Sequence, residues 1–159
     1  DFTPPVMDGQ EHRALDLAAG LGQNGLWLAE QGYTVDVLDV SRVALLRAQA
    51  EAGQRGLRNL NLLPVDLDTY ELPDEHYELV CVFRYLNREL FSALRRTVQP
   101  GGRIIYETFN ERYRDFMPSF NPEYLLNVGE LAGYFADWTL LHHVEDTHLS
   151  RVVAQKPLR

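Results

Sequence analysis

The sequence predicts an α/β fold: a doubly wound sheet of seven strands, the last two forming an antiparallel hairpin. Three observations carry this. Short apolar runs with strand character alternate with helix-patterned segments across short connections, as in a parallel sheet with right-handed crossovers. A glycine-rich turn, Gly20 to Gly25, separates the first strand from the first helix. The final two strand runs are joined only by Glu145-Asp-Thr-His148, too short for a parallel crossover. At 159 residues the chain suffices for one domain with a sizeable core, and residues 1–159 are read as that domain.

Asp1 to His12, with Pro4-Pro5 and Asp8-Gly9, reads as an irregular lead-in. Ala14, Leu15 and Leu17 make the first strand around one carboxylate, Asp16. Asn24 stands at a helix start, and Leu26 to Glu30 is a helix stopped by Gly32. Tyr33 to Asp39 is β-branched and apolar, a buried parallel strand. Ser41 caps a helix running to about Gly56. Leu60 to Val65 is the third strand, ending at Asp66. An acidic loop with Pro73 and Asp74 leads to the fourth, Tyr77 to Phe83. Asn87 opens a helix through Val98. Gln99-Pro-Gly-Gly102 ends it before the fifth strand, Arg103 to Glu107. Residues 110–122 read as a loop. Asn127 then caps a helix from Val128 to Phe135, and Trp138–Val144 and Leu149–Ala154 are the hairpin strands.

Composition excludes several function classes. A net charge of −8 argues against a nucleic-acid partner, which needs a basic face. No apolar run approaches the roughly 20 residues of a membrane span, and no signal peptide is evident, so no membrane partner is expected. The single cysteine, Cys81, cannot form an internal disulfide, which suits a cytoplasmic location. His142, His143 and His148 invite a metal reading. Adjacent strand residues face opposite ways, however, and no carboxylate or cysteine spacing supports a site, so no metal is expected.

The glycine turn has two readings. Gly20-x-Gly22-x-x-Gly25 matches the dinucleotide fingerprint, and Asp39 stands where that fingerprint places its acidic residue. This supports a nicotinamide-dependent oxidoreductase, although no catalytic acid or second domain accompanies it. In that fingerprint the first glycine directly follows the strand and receives a pyrophosphate. Here Asp16 precedes the turn, and the phrase Asp16-x-Ala18-x-Gly20-x-Gly22 is the fuller one. An acid beside the loop disfavours a diphosphate and suits a ligand with an ammonium or sulfonium charge.

That phrase resembles motif I of the class I S-adenosylmethionine methyltransferases, Asp/Glu-x-Gly-x-Gly-x-Gly. It departs at Ala18, which stands for the first glycine and whose φ is expected to suit a residue with a Cβ. Val37-Leu-Asp-Val-Ser41, Asp66-Leu67, Val82-Phe-Arg-Tyr-Leu86, Pro100-Gly-Gly102, Tyr106-Glu-Thr-Phe109 and Asn121-Pro-Glu-Tyr-Leu-Leu126 follow in family order. Together they look like a small bacterial methyltransferase of the tellurite-resistance type. The resemblance implies S-adenosyl-L-methionine as cofactor and strand order 3-2-1-4-5-7-6 with strand 7 antiparallel. It leaves the methyl acceptor open. The chain begins at Asp1 rather than methionine, read as a trimmed N-terminus, and family members have covering helices before the first strand. A more open pocket is the expectation, and a non-catalytic S-adenosylmethionine-binding module is the second alternative.

Asp39 ends the second strand at the carboxyl edge, where open α/β sheets bind ligands, and a carboxylate there can accept both ribose hydroxyls. A solvated strand-end acid is the plain alternative. By the resemblance, Val40 faces the adenine, Asp66 and Leu67 meet its amino-group side, and Phe83 and the loop residues Ala18, Gly20 and Gly22 complete the cofactor site. Asp16 either holds the cofactor's amino group or caps the loop amides. Asp68 is read as solvated and Tyr106 as core. Arg84, Tyr85, Glu107 and Arg112 are the acceptor-side candidates, each balanced against an ordinary surface or core role. No catalytic base is apparent. That is consistent with in-line displacement by a soft nucleophile on a small molecule, such as a thiol, selenite or tellurite.

Overall fold

The computed structural model describes all residues other than Asp1, Asp8 and Leu21. Its elements are β1 (Arg13–Leu17), α1 (Gln23–Glu30), β2 (Thr34–Asp39), α2 (Arg42–Gln54), β3 (Leu60–Pro64), β4 (Tyr77–Phe83), α3 (Phe91–Thr97), β5 (Val98–Phe109), α4 (Glu130–Gly133), β6 (Thr139–Glu145) and β7 (Leu149–Gln155). The strands form one sheet in the order β3-β2-β1-β4-β5-β7-β6. Strands β1 to β5 pair in parallel, and β7 lies antiparallel between β5 and β6.

Alternation along each strand builds the two faces. Leu15, Leu17, Val80, Val82, Ile104 and Tyr106 pack toward Phe91 and Leu94 of α3 and Leu131 of α4. Ala14, Val35, Val37, Leu79 and Cys81 pack toward Leu28 and Ala29 of α1 and Leu45 of α2. Phe91 is stacked between Tyr134 and Tyr106, with centroids 3.8 and 5.2 Å away, which seats α3 on the sheet.

Several expectations are corrected. The helix expected from Asn87 to Val98 is divided into a 3-10 turn, Arg88–Leu90, and α3. Gln99 to Gly102 does not separate helix from strand but bulges within β5: Tyr77 pairs with Val98, and Leu79 already with Arg103. Only glycine fits at 102, where a Cβ would stand 2.9 Å from the carbonyl oxygens of Glu78 and Gln99. The helix expected over Val128–Phe135 shrinks to α4, because Gly129 turns left-handed with φ 85°. Asn127 does not cap it as an acceptor; its backbone N–H and side-chain amide both donate to the Glu130 carboxylate, at 2.9 and 3.1 Å. The loop expected over 110–122 contains a 3-10 turn, Glu111–Asp115, with Asn110 accepting from the Arg112 N–H at 3.0 Å. The lead-in is irregular but tied down: Tyr33 donates to the Pro4 carbonyl at 2.5 Å, and Arg103 to that of Phe2 at 2.8 Å.

Between β1 and α1 the chain makes its tightest approach. Asp16 is 2% exposed, and its Oδ2 accepts the Gly25 N–H at 2.8 Å. A Cβ at Gly25 would meet Val37 at 2.8 Å and Asp16 Oδ2 at 3.1 Å, so the strand-to-helix packing requires glycine there. Burial pushes the Asp16 carboxyl up to about 7 from its ordinary 3.8; the Gly25 N–H opposes the rise and the Asp39 charge adds to it. The expectation about Ala18 fails: its φ is +55°, in the left-handed region, so the family glycine's backbone is kept although the residue carries a Cβ.

Two outcomes follow. A left-handed non-glycine residue costs about 1–2 kcal/mol, more than the roughly 0.5–1 kcal/mol of chain entropy that glycine forfeits on folding. Ala18→Gly should therefore stabilise the protein by about 0.5–1 kcal/mol, raising Tm by roughly 1–4 °C in calorimetry; a lowered Tm would contradict the assignment. Asp16 keeps its proton in the folded chain at pH values where the unfolded chain has lost it. Its contribution to stability is thus complete below 3.8 and lost as pH rises through about 7. The stability of wild type minus that of Asp16→Asn, from urea unfolding, should decline from about pH 4 to about pH 8. A flat difference would remove the buried titration.

Candidate functional site

The carboxyl ends of β1, β2 and β4 stand side by side, and the sequence candidates gather there. Asp39 bridges two elements: its Oδ2 accepts the Gly20 N–H at 2.8 Å and its Oδ1 accepts the Ser41 N–H at 2.8 Å. Each oxygen keeps a second acceptor site, so the carboxylate can still receive a pair of hydroxyls. Val40, next in sequence, is 73% exposed and presents bare apolar surface at the edge. Ser41 Oγ accepts the Ala44 N–H at 3.2 Å and starts α2. Gly22 caps α1 with φ 70°, and among the described residues no atom beyond the chain neighbours lies within 4 Å of where a Cβ of Gly20 would stand. A ligand can therefore rest directly on the backbone at Gly20. Asp16 lies beneath the turn, nearly inaccessible, and holds the Gly25 amide; of its two sequence readings, amide capping is the contact present.

Asp66 is exposed beyond β3, its Oδ1 accepting the Asp68 N–H at 2.9 Å in a tight turn. Asp68, read as solvated, is exposed but also accepts from the Asn87 amide at 3.1 Å. Leu67 and Phe83 are half-buried on opposite faces of the sheet. Open space over a glycine backbone, free carboxylate acceptors and an acidic rim fit an adenosyl ligand with positive charge, as the resemblance implies.

On the acceptor side, Arg84 leaves β4 with φ +56° while its N–H donates to the Glu107 carbonyl at 2.8 Å. Its side chain is exposed and its guanidinium carbon lies 5.1 Å from the Phe109 ring centroid. Tyr85 is half-buried; burial foremost holds its phenol above the usual range, with the Asn87 bond opposing and the Asp68 and Asp66 charges adding to the rise. Tyr106 is core, as expected, and donates to the Tyr85 carbonyl at 2.5 Å. Glu107 is buried and paired with Arg151, whose Nε donates at 2.9 Å and whose Nη2 also reaches the same oxygen. Arg112 stands apart. It lines a separate depression with Arg114, Pro118 and Pro122 rather than the cavity beside Arg84.

That cavity, about 420 Å³, is walled by Arg84, Tyr85 and Leu86 after β4, Thr108 and Phe109 of β5, and Phe120 and Tyr124 from the following segment. Neither Phe120 nor Tyr124 is among the site residues expected from the sequence, although Tyr124 lies in the Asn121–Leu126 phrase. The signal was present: Tyr113, Phe116, Phe120 and Tyr124 recur every three or four residues in a stretch otherwise polar enough to read as loop. Arg88 was missed too. It donates to both Glu130 oxygens, at 2.7 and 3.0 Å, and to the carbonyls of Glu123 and Leu125, at 3.1 and 2.8 Å, holding that segment over the cavity. The three histidines disperse: His142 packs on Phe2, His143 Nε2 lies 3.2 Å from Glu145, and His148 joins the Phe109–Tyr113 aromatic cluster. Among the described residues no three potential metal ligands converge.

A family model described as "Methyltransferase domain" matches residues 14–102. "Hemagglutinin 1" of Eikenella corrodens is 28% identical over 146 residues, a match covering 84% of this chain and 46% of that protein. The chain thus spans about half the length of that curated relative. Among solved structures, the S-adenosylmethionine-dependent methyltransferase from Mesorhizobium loti superposes with a TM-score of 0.77 at 18% identity, over 98% of this chain and 94% of the other. TehB from Haemophilus influenzae gives 0.79 at 18% identity, over 93% and 58%. An S-adenosylmethionine-dependent methyltransferase from Aquifex aeolicus gives 0.69 at 21% identity, over 92% and 84%. These likenesses show a shared fold; in this chain β7 is antiparallel, which an all-parallel dinucleotide sheet lacks. By the family match over more than half its length, the chain belongs to the methyltransferase-domain family, with S-adenosylmethionine as the implied cofactor.

Proposed function

We propose that residues 1–159 act as one methyltransferase domain that binds S-adenosylmethionine at the β1–β2 edge and methylates a small-molecule acceptor. The observation that carries this is the pinned glycine turn: Asp39 holds the Gly20 amide while keeping acceptor sites toward the open space above it. When bound, S-adenosylmethionine supplies a methyl group on a positively charged sulfur, taken by an acceptor lone pair as the carbon–sulfur electrons return to sulfur. The acidic rim of Asp39, Asp66 and Asp68 favours a cationic ligand over a diphosphate, which weighs against the nicotinamide reading.

The protein's own contribution is binding and alignment. Asp39 receives the ribose hydroxyls, Val40 and Leu67 offer apolar contact to the base, Asp66 faces its amino group, and Ala18, Gly20, Gly22 and Phe83 bound the remainder. Asp16 sets the height of the turn from below. No side chain here is assigned as a general base, which suits a nucleophile already soft and ionised: a thiolate that has given its proton to solvent, or a chalcogen oxyanion of the selenite or tellurite kind. A cytoplasmic location agrees with the buried, unpaired Cys81; no described helix is long and apolar enough to cross a membrane.

Asp39→Ala should weaken S-adenosylhomocysteine binding by about 1.5–3 kcal/mol, the scale of hydrogen bonds to a charged group, measured by calorimetric titration. Part of that loss enters through the freed Gly20 amide, so Asp39→Asn, which retains one acceptor oxygen, should lose less. Wild-type affinity in a folded Asp39→Ala protein would show the carboxylate to be a strand-end acid only.

A further inference from the structure

The cavity beside Arg84 has a chemistry that narrows the acceptor. The geometry points to an organic anion, a flat apolar body carrying one carboxylate, with the carboxylate on Arg84 and the body among Phe109, Phe120 and Tyr124. This rests on the methyl-transfer reading and deepens it.

Four observations converge. Arg84 has no carboxylate within ion-pair distance among the described residues, whereas the neighbouring arginines are committed: Arg88 to Glu130, Arg151 to Glu107. Its guanidinium carbon lies over the Phe109 ring, a contact that uses none of its N–H donors and leaves them for a carboxylate. Its φ of +56°, kept by a non-glycine residue, holds the side chain off the end of β4 at a local cost, as occurs at binding sites. The wall is preorganised: Phe109 stacks on Tyr113 at 4.0 Å and 16°, and Phe120 stands edge-on to Tyr113 at 5.1 Å.

Such a wall suits a flat body, and about 420 Å³ admits a small organic molecule. A bare selenite or tellurite fits less well. Stripped of water it needs donors on every side, and beyond Arg84 the wall offers only the hydroxyls of Tyr85, Thr108 and Tyr124 among apolar carbon. Charge also sets the orientation. Asp66 and Asp68 repel an anion from the cofactor rim, so the carboxylate seats on Arg84 and the opposite end of the acceptor faces the glycine turn.

The test is calorimetric titration of protein saturated with S-adenosylhomocysteine, using hydrocinnamate, hydrocinnamyl alcohol, propanoate and selenite as probes. Wild type should bind hydrocinnamate about tenfold or more tighter than each of the other three. Arg84→Gln should bring hydrocinnamate down to the level of the alcohol while leaving S-adenosylhomocysteine affinity unchanged. Phe120→Ser should weaken acid and alcohol alike. Equal binding of acid and alcohol by wild type, an unchanged preference in Arg84→Gln, or selenite binding as tightly as hydrocinnamate would each overturn the proposal. Failure of wild type to bind S-adenosylhomocysteine at all would overturn the methyltransferase reading beneath it.

Discussion

The carboxyl edge of the sheet depends on two carboxylates that grip one glycine turn. Asp16 reaches from inside the core to the Gly25 N–H, and Asp39 reaches from the next strand to the Gly20 N–H. Both bonds are 2.8 Å; the one to Asp39 joins an amide to a charged carboxylate, the stronger kind of hydrogen bond, and the one to Asp16 is kept when that carboxyl holds its proton. The grip works only because Gly25 lets α1 approach β1 and β2 closely; a side chain there would strike Val37 and Asp16 together. Asp39 also receives the Ser41 N–H, so the carboxylate that shapes the turn starts α2 as well. Fold and site are therefore one construction at this edge.

The other half of the site is built differently. The stretch after β5 has little regular structure, and its place is set by side chains. Arg88 joins both oxygens of Glu130 and two carbonyls of that stretch, using the planar fork that lysine lacks. The Arg88 bond, foremost, draws the Glu130 carboxyl down to about 2, with the Asn127 and Tyr134 bonds helping against burial. Glu130 therefore stays ionised through the neutral range, and the clamp's contribution, complete above its ordinary 4.5, is lost as pH falls through about 2. Aromatic stacking completes the wall, with Phe109 held between Arg84 and Tyr113. A glycine turn held by carboxyl groups beside a cavity built from side chains lets the cavity wall change while the turn stays as it is.

Electrostatics divide along the same line. Asp16, Asp39, Asp66 and Asp68 lie on the β1–β3 side, whereas Arg84 is the cation at the cavity mouth. The buried Asp16 avoids the cost of an uncompensated charge by holding its proton until near neutrality, and it still accepts from Gly25 in either state.

The sequence by itself determined the sheet and its closing hairpin. Strand alternation, a glycine turn between β1 and α1, and a turn too short for a crossover before β7 are local signals set by backbone sterics and period. Motif resemblance added the strand order and the expectation of a cofactor at the β1–β2 edge, where the structure joins Asp39 to the Gly20 amide. What the tertiary structure decided were quantities that depend on partners distant in sequence. Ala18 keeps a left-handed φ because the surrounding turn imposes it. Gly101 and Gly102 bulge a continuous strand because β4 continues alongside. α4 is short because Gly129 interrupts it and Asn127 is drawn to Glu130. Glu107 meets Arg151 through the antiparallel register of β5 and β7, and Arg112 falls away from the Arg84 cavity. Each outcome is a competition between a local preference and a long-range contact, and only the packed chain holds both sides of it.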